Sequence, residues 1–219
     1  MKKHAIVTDP PGPAKAALPK RPQPLVGARF VLGVASEAQL PREGAPEIAF
    51  AGRSNAGKSS AINALANHGR LAFASRTPGR TQQINIFALR SGALVADLPG
   101  YGYAAVSKAV KRDWQAFLWH YLSSRNNLVA LVLMVDVRHG ISDYDLPVLD
   151  QFVPSGRPVL ILATKADKLG KEAQREALAA IVGAVGARYR GGNVIVQLFS
   201  ATTRQGVEEA EATIASWVP

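Results

Sequence analysis

From Leu25 onward the chain alternates short, nearly continuous apolar runs with stretches of helical spacing. The runs are RFVLGVA (29–35), EIAFAG (47–52), INIFAL (84–89), ALVADL (93–98), LVALVLMVD (128–136), RPVLILAT (157–164) and NVIVQLFS (193–200). Runs of this length with little polar alternation suit strands buried on both faces. Helical spacing is expected in SSAINALANHG (59–69), through Ile62 and Leu65 and ending at Gly69. It recurs near 107–125, 143–153, 171–186 and 205–217. In the second of these helices Val110, Trp114, Phe117 and Tyr121 stand three or four residues apart. Such an apolar stripe reads as core packing. Apolar strands separated by helices predict an α/β fold, with a mostly parallel central sheet covered by helices on both faces. INIFALRSGALVADL (84–98) is different: two strands joined at Ser91-Gly92 predict an antiparallel edge hairpin. No internal repeat is visible.

Composition divides the chain. Residues 1–24 hold six of the 14 prolines, and five Lys/Arg against one Asp. A segment of that kind cannot bury enough apolar surface to order itself, so a disordered basic Pro-rich arm is expected before a domain over 25–219. A chain of 219 residues fits one α/β domain with such an extension. The absence of cysteine excludes a disulfide framework, a thiol nucleophile and a thiolate metal site. The four histidines, at 68, 120, 139 and 4, show no ligand spacing. No apolar signal region follows the N-terminal lysines and no run reaches membrane-spanning length, so a cytoplasmic protein without membrane insertion is expected.

The charge adds a partner to the picture. A net charge of +10 favours a polyanion beyond a small ligand. A generally solvated basic surface is the blander reading. Lys111-Arg112, Arg125, Arg138, Arg188 and Arg190 look spread over loops and helix surfaces, and no aromatic-interleaved RNA-binding motif is present. The charge therefore suggests RNA contact through shape and phosphate, without fixing a face.

The chemistry begins at FAGRSNAGKSS (50–60). Gly52, Arg53, Ser54, Asn55, Ala56, Gly57, Lys58 and Ser59 fit G-x-x-x-x-G-K-[ST], the phosphate-binding loop of nucleoside triphosphatases. Backbone N–H groups of such a loop converge into an anion nest, and the following helix adds its positive end. Lys58 would reach the β- and γ-phosphates, and the Ser59 hydroxyl would ligate Mg²⁺. The loop stands between a strand pattern and a helix pattern, the arrangement this chemistry requires.

The remaining parts stand at other strand ends. Asp97-Leu98-Pro99-Gly100 closes one strand. There the aspartate can hold Mg²⁺ through water, and the Gly100 N–H can contact a γ-phosphate and sense its loss. Thr164-Lys165-Ala166-Asp167 closes another. The Asp167 carboxylate can accept from guanine N1–H and its exocyclic amine, a donor pair adenine lacks. Lys165 would lie along the base and brace the phosphate loop. Phe199-Ser200-Ala201 ends a later strand, where the Ala201 N–H could contact the guanine oxygen. Thr81 lies in the polar segment SRTPGRTQQ (75–83), which could fold over the γ-phosphate and complete the Mg²⁺ shell. An ordinary surface turn is the alternative there.

The set G-R-S-N-A-G-K-S, T-P-G-R-T-Q, D-L-P-G-Y-G-Y, T-K-A-D and F-S-A resembles the EngB (YihA/YsxC) family of bacterial GTPases, relatives of Era and TrmE. VDVRHGISDYD (135–145) and the DW…FLWHYL helix are also similar to that family. The likeness runs from about residue 25 to the C-terminus. It implies a Ras-like GTPase fold and GTP or GDP contact by residues 52–59, by Gly79, Arg80, Thr81, Gln82 and Gln83, and by 97–100, 164–167 and 199–201. It implies Ser59 and Thr81 as Mg²⁺ ligands, with Lys58, Thr81 and Gly100 at the reacting phosphate. It also implies a role on a precursor of the large ribosomal subunit, with its rRNA and ribosomal proteins, and a need in cell division and septation. A monomer is expected.

Tyr101 stands where Ras-like enzymes carry the glutamine that orients the attacking water. The family shares this departure, so slow intrinsic hydrolysis is expected, with help from elsewhere. A partner's arginine is one source of help. K⁺ is another, since Asn55 offers a carbonyl oxygen and relatives in the TrmE group show K⁺-stimulated hydrolysis. The equal alternative is that Asn55 only suits a turn conformation. Two further classes stay open: a P-loop kinase or ATPase acting on small molecules, which Asp167 argues against, and a binding module that uses GTP structurally with negligible turnover.

Overall fold

The computed structural model describes residues 22–42, 44–72, 83–102 and 108–219, with side chains from 115 onward in the last span. The seven strands are β1 (Arg29–Val34), β2 (Glu47–Gly52), β3 (Ile84–Ala88), β4 (Leu94–Asp97), β5 (Leu128–Asp136), β6 (Val159–Thr164) and β7 (Val194–Leu198). The α-helices are α1 (Lys58–Leu65), α2 (Lys108–Ser124), α3 (Leu146–Phe152), α4 (Lys171–Arg188) and α5 (Val207–Ala215). Each strand falls inside one of the apolar runs.

The strands form one sheet in the order β1-β3-β4-β2-β5-β6-β7. β4, β2, β5, β6 and β7 are mutually parallel, whereas β3 runs antiparallel to both β4 and β1. The β3–β4 hairpin turns at Ser91-Gly92, and β1 adds itself to the hairpin's outer side.

Alternation along the central strands explains the two layers. Ala49, Ala51, Leu131, Leu133, Val135, Ile161 and Ala163 point to the face covered by α2, α3 and α4, through Tyr121, Leu122, Leu149, Phe152 and Ile181. Ile48, Phe50, Ala130, Val132, Met134, Leu160 and Leu162 point to the other face, against Ile62 and Leu65 of α1 and Val207 and Ile214 of α5. Both faces of the central strands β2, β5 and β6 are buried, so their sequences show no polar alternation. The edge strands β1 and β7, expected to be buried as well, are mostly half-buried or exposed, because each has a neighbour on one side only.

Two differences from the sequence expectations have local causes. α1 stops at Leu65 rather than Gly69, because Asn67 adopts φ +47 and its N–H turns to the Ala64 carbonyl. Asparagine tolerates that left-handed conformation and so ends a helix much as glycine does. Arg125, expected on the surface, is 6% exposed. It pairs with the fully buried Glu47 at 3.2 Å, and the Tyr121 hydroxyl donates to the same carboxylate at 2.5 Å. This network joins the end of α2 to the start of β2. In the aromatic stripe, Tyr121 is buried and Phe117 packs against the core; Val110 and Trp114 lie outside the described side chains.

Candidate nucleotide-binding site

Because β4, β2, β5 and β6 are parallel, their C-terminal ends meet at one edge of the sheet. The chain leaves β2 toward β3 and β4 on one side and later returns to β5 on the other. Such a reversal of strand order opens a crevice beyond the strand ends. Residues 53–57 cross it from Gly52 to the first turn of α1.

The loop is held at several points. The Ala56 N–H donates to Arg53 O at 2.9 Å, closing a turn, and Asn55 and Gly57 take φ of +67° and +93°. At Gly57 a β-carbon would be strained, and glycine lets the chain enter α1 from this left-handed position. The Ser54 N–H donates to Tyr101 O at 2.8 Å, and its hydroxyl to Gly100 O at 3.2 Å. A β-carbon on Gly100 would sit 2.9 Å from Ser54 Oγ, so the D-L-P-G segment lies directly on the loop only because this residue is glycine. From β6, Thr164 Oγ1 lies 2.5 Å from Ala56 O and 3.1 Å from Val135 O. Lys165 Nζ donates to Asn55 O at 2.6 Å.

Lys58 and Asp97 form an ion pair in which both side chains are largely buried. Ser59 follows Lys58 in the first turn of α1 and is half-buried. An ammonium, a hydroxyl and a carboxylate thus gather at the helix N-terminus, where the helix field favours an anion.

At the far side of the crevice, Asp167 Oδ1 accepts from Ser200 Oγ at 2.6 Å and Oδ2 lies 3.3 Å from Lys168 Nζ. The Ser200 hydrogen bond, helped by Lys168, holds this carboxyl below its ordinary range, so it is an acceptor at neutral pH. The two base-side segments are joined by the Ala166 N–H, which donates to Phe199 O at 3.1 Å.

Comparison with known proteins decides the family. Residues 47–165 match the model of the 50S ribosome-binding GTPase family. A "Probable GTP-binding protein EngB" of Azoarcus sp. is 52% identical over 191 residues, covering 87% of this chain and 91% of the relative. The chain belongs to the EngB family.

The EngB protein of Neisseria meningitidis serogroup B is 51% identical over 172 residues, covering 78% of this chain and 82% of that one. Among solved structures, an EngB protein superposes with a TM-score of 0.61 at 21% identity, covering 78% of this chain and 97% of the other. Era, solved with MgGDPNP and a segment of 16S ribosomal RNA, has a TM-score of 0.60 at 19% identity, covering 81% of this chain and 58% of Era. These two show the shared fold, that of the P-loop GTPases.

The structure therefore gathers 52–59, 97–100, 164–167 and 199–201 at one end of the sheet. Gly79, Arg80, Thr81 and Gln82 lie outside the described residues. Gln83 is described, and its side-chain amide covers the α-carbon of Gly33 in β1, which β3 and β4 separate from β2 and the phosphate loop. Two residues without a role in the sequence motifs join the site: Asp136, which pairs with Lys165 at 2.9 Å, and Asp145, which accepts from Tyr101. A signal existed for the first: Asp136 closes an apolar strand, just as Asp97 closes another.

Among the described residues no group of three or more His, Cys, Asp or Glu could hold a metal ion. A Mg²⁺ of this enzyme class needs no such cluster, because phosphate and water supply most of its ligands. Ser59 and Asp97, oxygen donors beside the helix N-terminus, fit that requirement. No described helix is long and apolar enough to cross a membrane.

Proposed function

We propose that this chain binds GTP and GDP with Mg²⁺, hydrolyses GTP slowly, and acts as a nucleotide-controlled switch in assembly of the large ribosomal subunit. The observation that carries the reading is the Asp167 carboxylate, fixed by Ser200 on the same crevice as the Lys58–Asp97 pair. An ionised acceptor at one end and cationic groups at the other match guanine and a polyphosphate. Adenine offers no such donor pair and would leave the carboxylate with Ser200 and Lys168 alone, so guanine is preferred. This disfavours the ATPase and kinase readings.

The residues divide the work. The loop N–H groups and Lys58 hold the β- and γ-phosphates, Asp167 and Ala201 hold the base, and Gly100 reports the γ-phosphate to the segment that follows it. Ser59 and Thr81 are the proposed Mg²⁺ ligands, with Asp97 acting through water. When bound, Mg²⁺ neutralises charge on the bridging phosphate oxygens. The ribosomal role is supported by the name of the matched family and by the net charge of +10. A cytoplasmic monomer, with residues 1–24 as a basic arm outside the GTPase domain and a need in cell division and septation, completes the proposal.

Asp167→Asn tests the base: GTP affinity should fall and xanthosine triphosphate affinity rise, because one acceptor becomes a donor. Undiminished GTP binding would remove the basis of the reading. Co-sedimentation with ribosomal subunits in GTP and in GDP tests the switch. Association through rRNA phosphates should weaken steeply as salt rises.

A second reading has its own observation. Tyr101, at the position of the water-orienting glutamine, has its hydroxyl on Asp145 at 2.5 Å. A binding module with negligible turnover follows if nothing replaces that glutamine. Single-turnover hydrolysis with and without ribosomal subunits separates the two readings.

A further inference from the structure

We propose that Asp136 is a positioning residue for guanine-nucleotide binding, acting through Lys165; this rests on the GTP-binding reading above. Lys165 follows β6 in a left-handed conformation, φ +59, which a lysine adopts only when its surroundings enforce it. Its ammonium has two partners that belong to different parts of the crevice. One is Asn55 O at 2.6 Å, in the left-handed part of the phosphate loop, and the other is Asp136 Oδ2 at 2.9 Å.

Asp136 is built to hold still. It ends β5 and lies opposite Thr164 in the parallel register with β6, which brings it beside Lys165. Arg138 grips the carboxylate from its own loop: Nε reaches Oδ1 at 2.9 Å, one terminal nitrogen reaches Oδ2 at 2.7 Å, and the Arg138 N–H reaches Oδ1 at 3.1 Å. Bidentate guanidinium–carboxylate contact fixes direction as well as distance. Burial alone would raise the Asp136 carboxyl, but the hydrogen bonds from Arg138 and Lys165 outweigh it and hold the group well below its ordinary range.

The consequence is a relay from Arg138 through Asp136 and Lys165 to the Asn55 carbonyl. A lysine side chain free of Asp136 would sample many rotamers, and holding it against the loop would then draw on binding free energy. With Asp136 in place that ordering is made in advance. Asp136 itself touches neither nucleotide nor metal in this scheme. Its effect is on affinity, equally for GTP and GDP, because the relay ends at the Asn55 backbone carbonyl and not at Lys58 or Gly100, the residues assigned to the γ-phosphate.

The test is a thermodynamic cycle on the full chain with fluorescent GDP and GTP analogues. Asp136→Asn should weaken both nucleotides about tenfold, the value of one charge-assisted hydrogen bond. It should raise KM for GTP by the same factor and leave kcat unchanged. Lys165→Met should weaken binding at least as much, and the double variant should bind no worse than Lys165→Met alone. Additive losses, or wild-type affinity in Asp136→Asn, would overturn the proposal. Should the Asn variant fail to purify folded, Asp136→Ser carries the same cycle. If the wild-type chain itself does not bind guanine nucleotides, the GTP-binding reading has failed rather than the relay.

Discussion

The hydroxyl of Tyr101 donates to Asp145 Oδ1 at 2.5 Å, and the other oxygen of that carboxylate accepts from the Ser142 N–H at 2.8 Å and the Ser142 hydroxyl at 2.6 Å. Asp145 is 2% exposed. The residue that follows Gly100 is thereby tied to the loop ahead of α3, and Arg53 of the phosphate loop lies over Tyr144 of that same loop at 5.4 Å. Tyr101→Phe removes one donor from a buried carboxylate. Its expected cost is about 1–3 kcal/mol in urea unfolding. Intrinsic single-turnover hydrolysis should stay within about threefold of wild type, since a hydroxyl turned to Asp145 orients no water. A hundredfold loss would give Tyr101 a direct part in the reaction.

Tyr101 and Tyr121 also set an alkaline limit. Burial first, and then the carboxylates of Asp145 and Glu47, hold both phenols well above their ordinary value of 10.0. In the unfolded chain they release their protons near that value, while the folded chain keeps them. Their stabilising contribution is therefore complete below about pH 10 and is lost as pH rises above it. Unfolding free energies measured from pH 8 to 11 should fall at the top of the range. In Tyr101→Phe/Tyr121→Phe the decline should be shallower.

The Glu47–Arg125 pair calls for a double substitution. Removing Arg125 alone leaves a fully buried carboxylate with, among the described residues, the Tyr121 hydroxyl as its remaining side-chain hydrogen-bond partner, and should cost about 3–5 kcal/mol. Glu47→Gln/Arg125→Met removes both charges and should cost clearly less. Equilibrium denaturation of the three proteins measures this, and a double variant as unstable as Arg125→Ala would contradict it.

Thr164→Val keeps the shape of the side chain and deletes the hydroxyl between Ala56 O and Val135 O. Stability should fall by about 1–3 kcal/mol, and GTP affinity with it, because the phosphate loop loses its tie to β6. Isothermal titration with a non-hydrolysable GTP analogue reads the second effect. Full affinity in a destabilised protein would show that the tie serves folding alone.

Hydrolysis in KCl and NaCl at equal ionic strength examines Asn55, which is exposed at φ +67 in the loop. A faster rate in KCl, abolished by Asn55→Ala, is the outcome expected if its carbonyl oxygen holds K⁺ near the β–γ bridge, where charge develops. Equal rates in both salts would assign Asn55 to the turn alone and leave a partner as the activator.

All seven strands and the helical segments were legible in the sequence, because both depend on local patterns. Runs buried on two faces stay apolar throughout, and helices repeat every three to four residues. The phosphate loop was equally legible, since its chemistry needs glycine and lysine at fixed spacing within one segment. The D-L-P-G and T-K-A-D segments were readable for the same reason.

What only the tertiary structure decided depends on which strands lie side by side. Nothing local says that β1 covers the hairpin, or that Asp136 stands opposite Thr164 and so beside Lys165. Nor does composition separate Arg125 from the exposed arginines; its burial follows from Glu47, 78 residues away in the chain. Tyr101 shows the same division. Its sequence position marked it as lacking the glutamine's chemistry, but its hydrogen bond to Asp145, 44 residues away, exists only once the sheet and α3 have packed. Spacing along the chain is written in the sequence, whereas partners across the fold are set by register and packing.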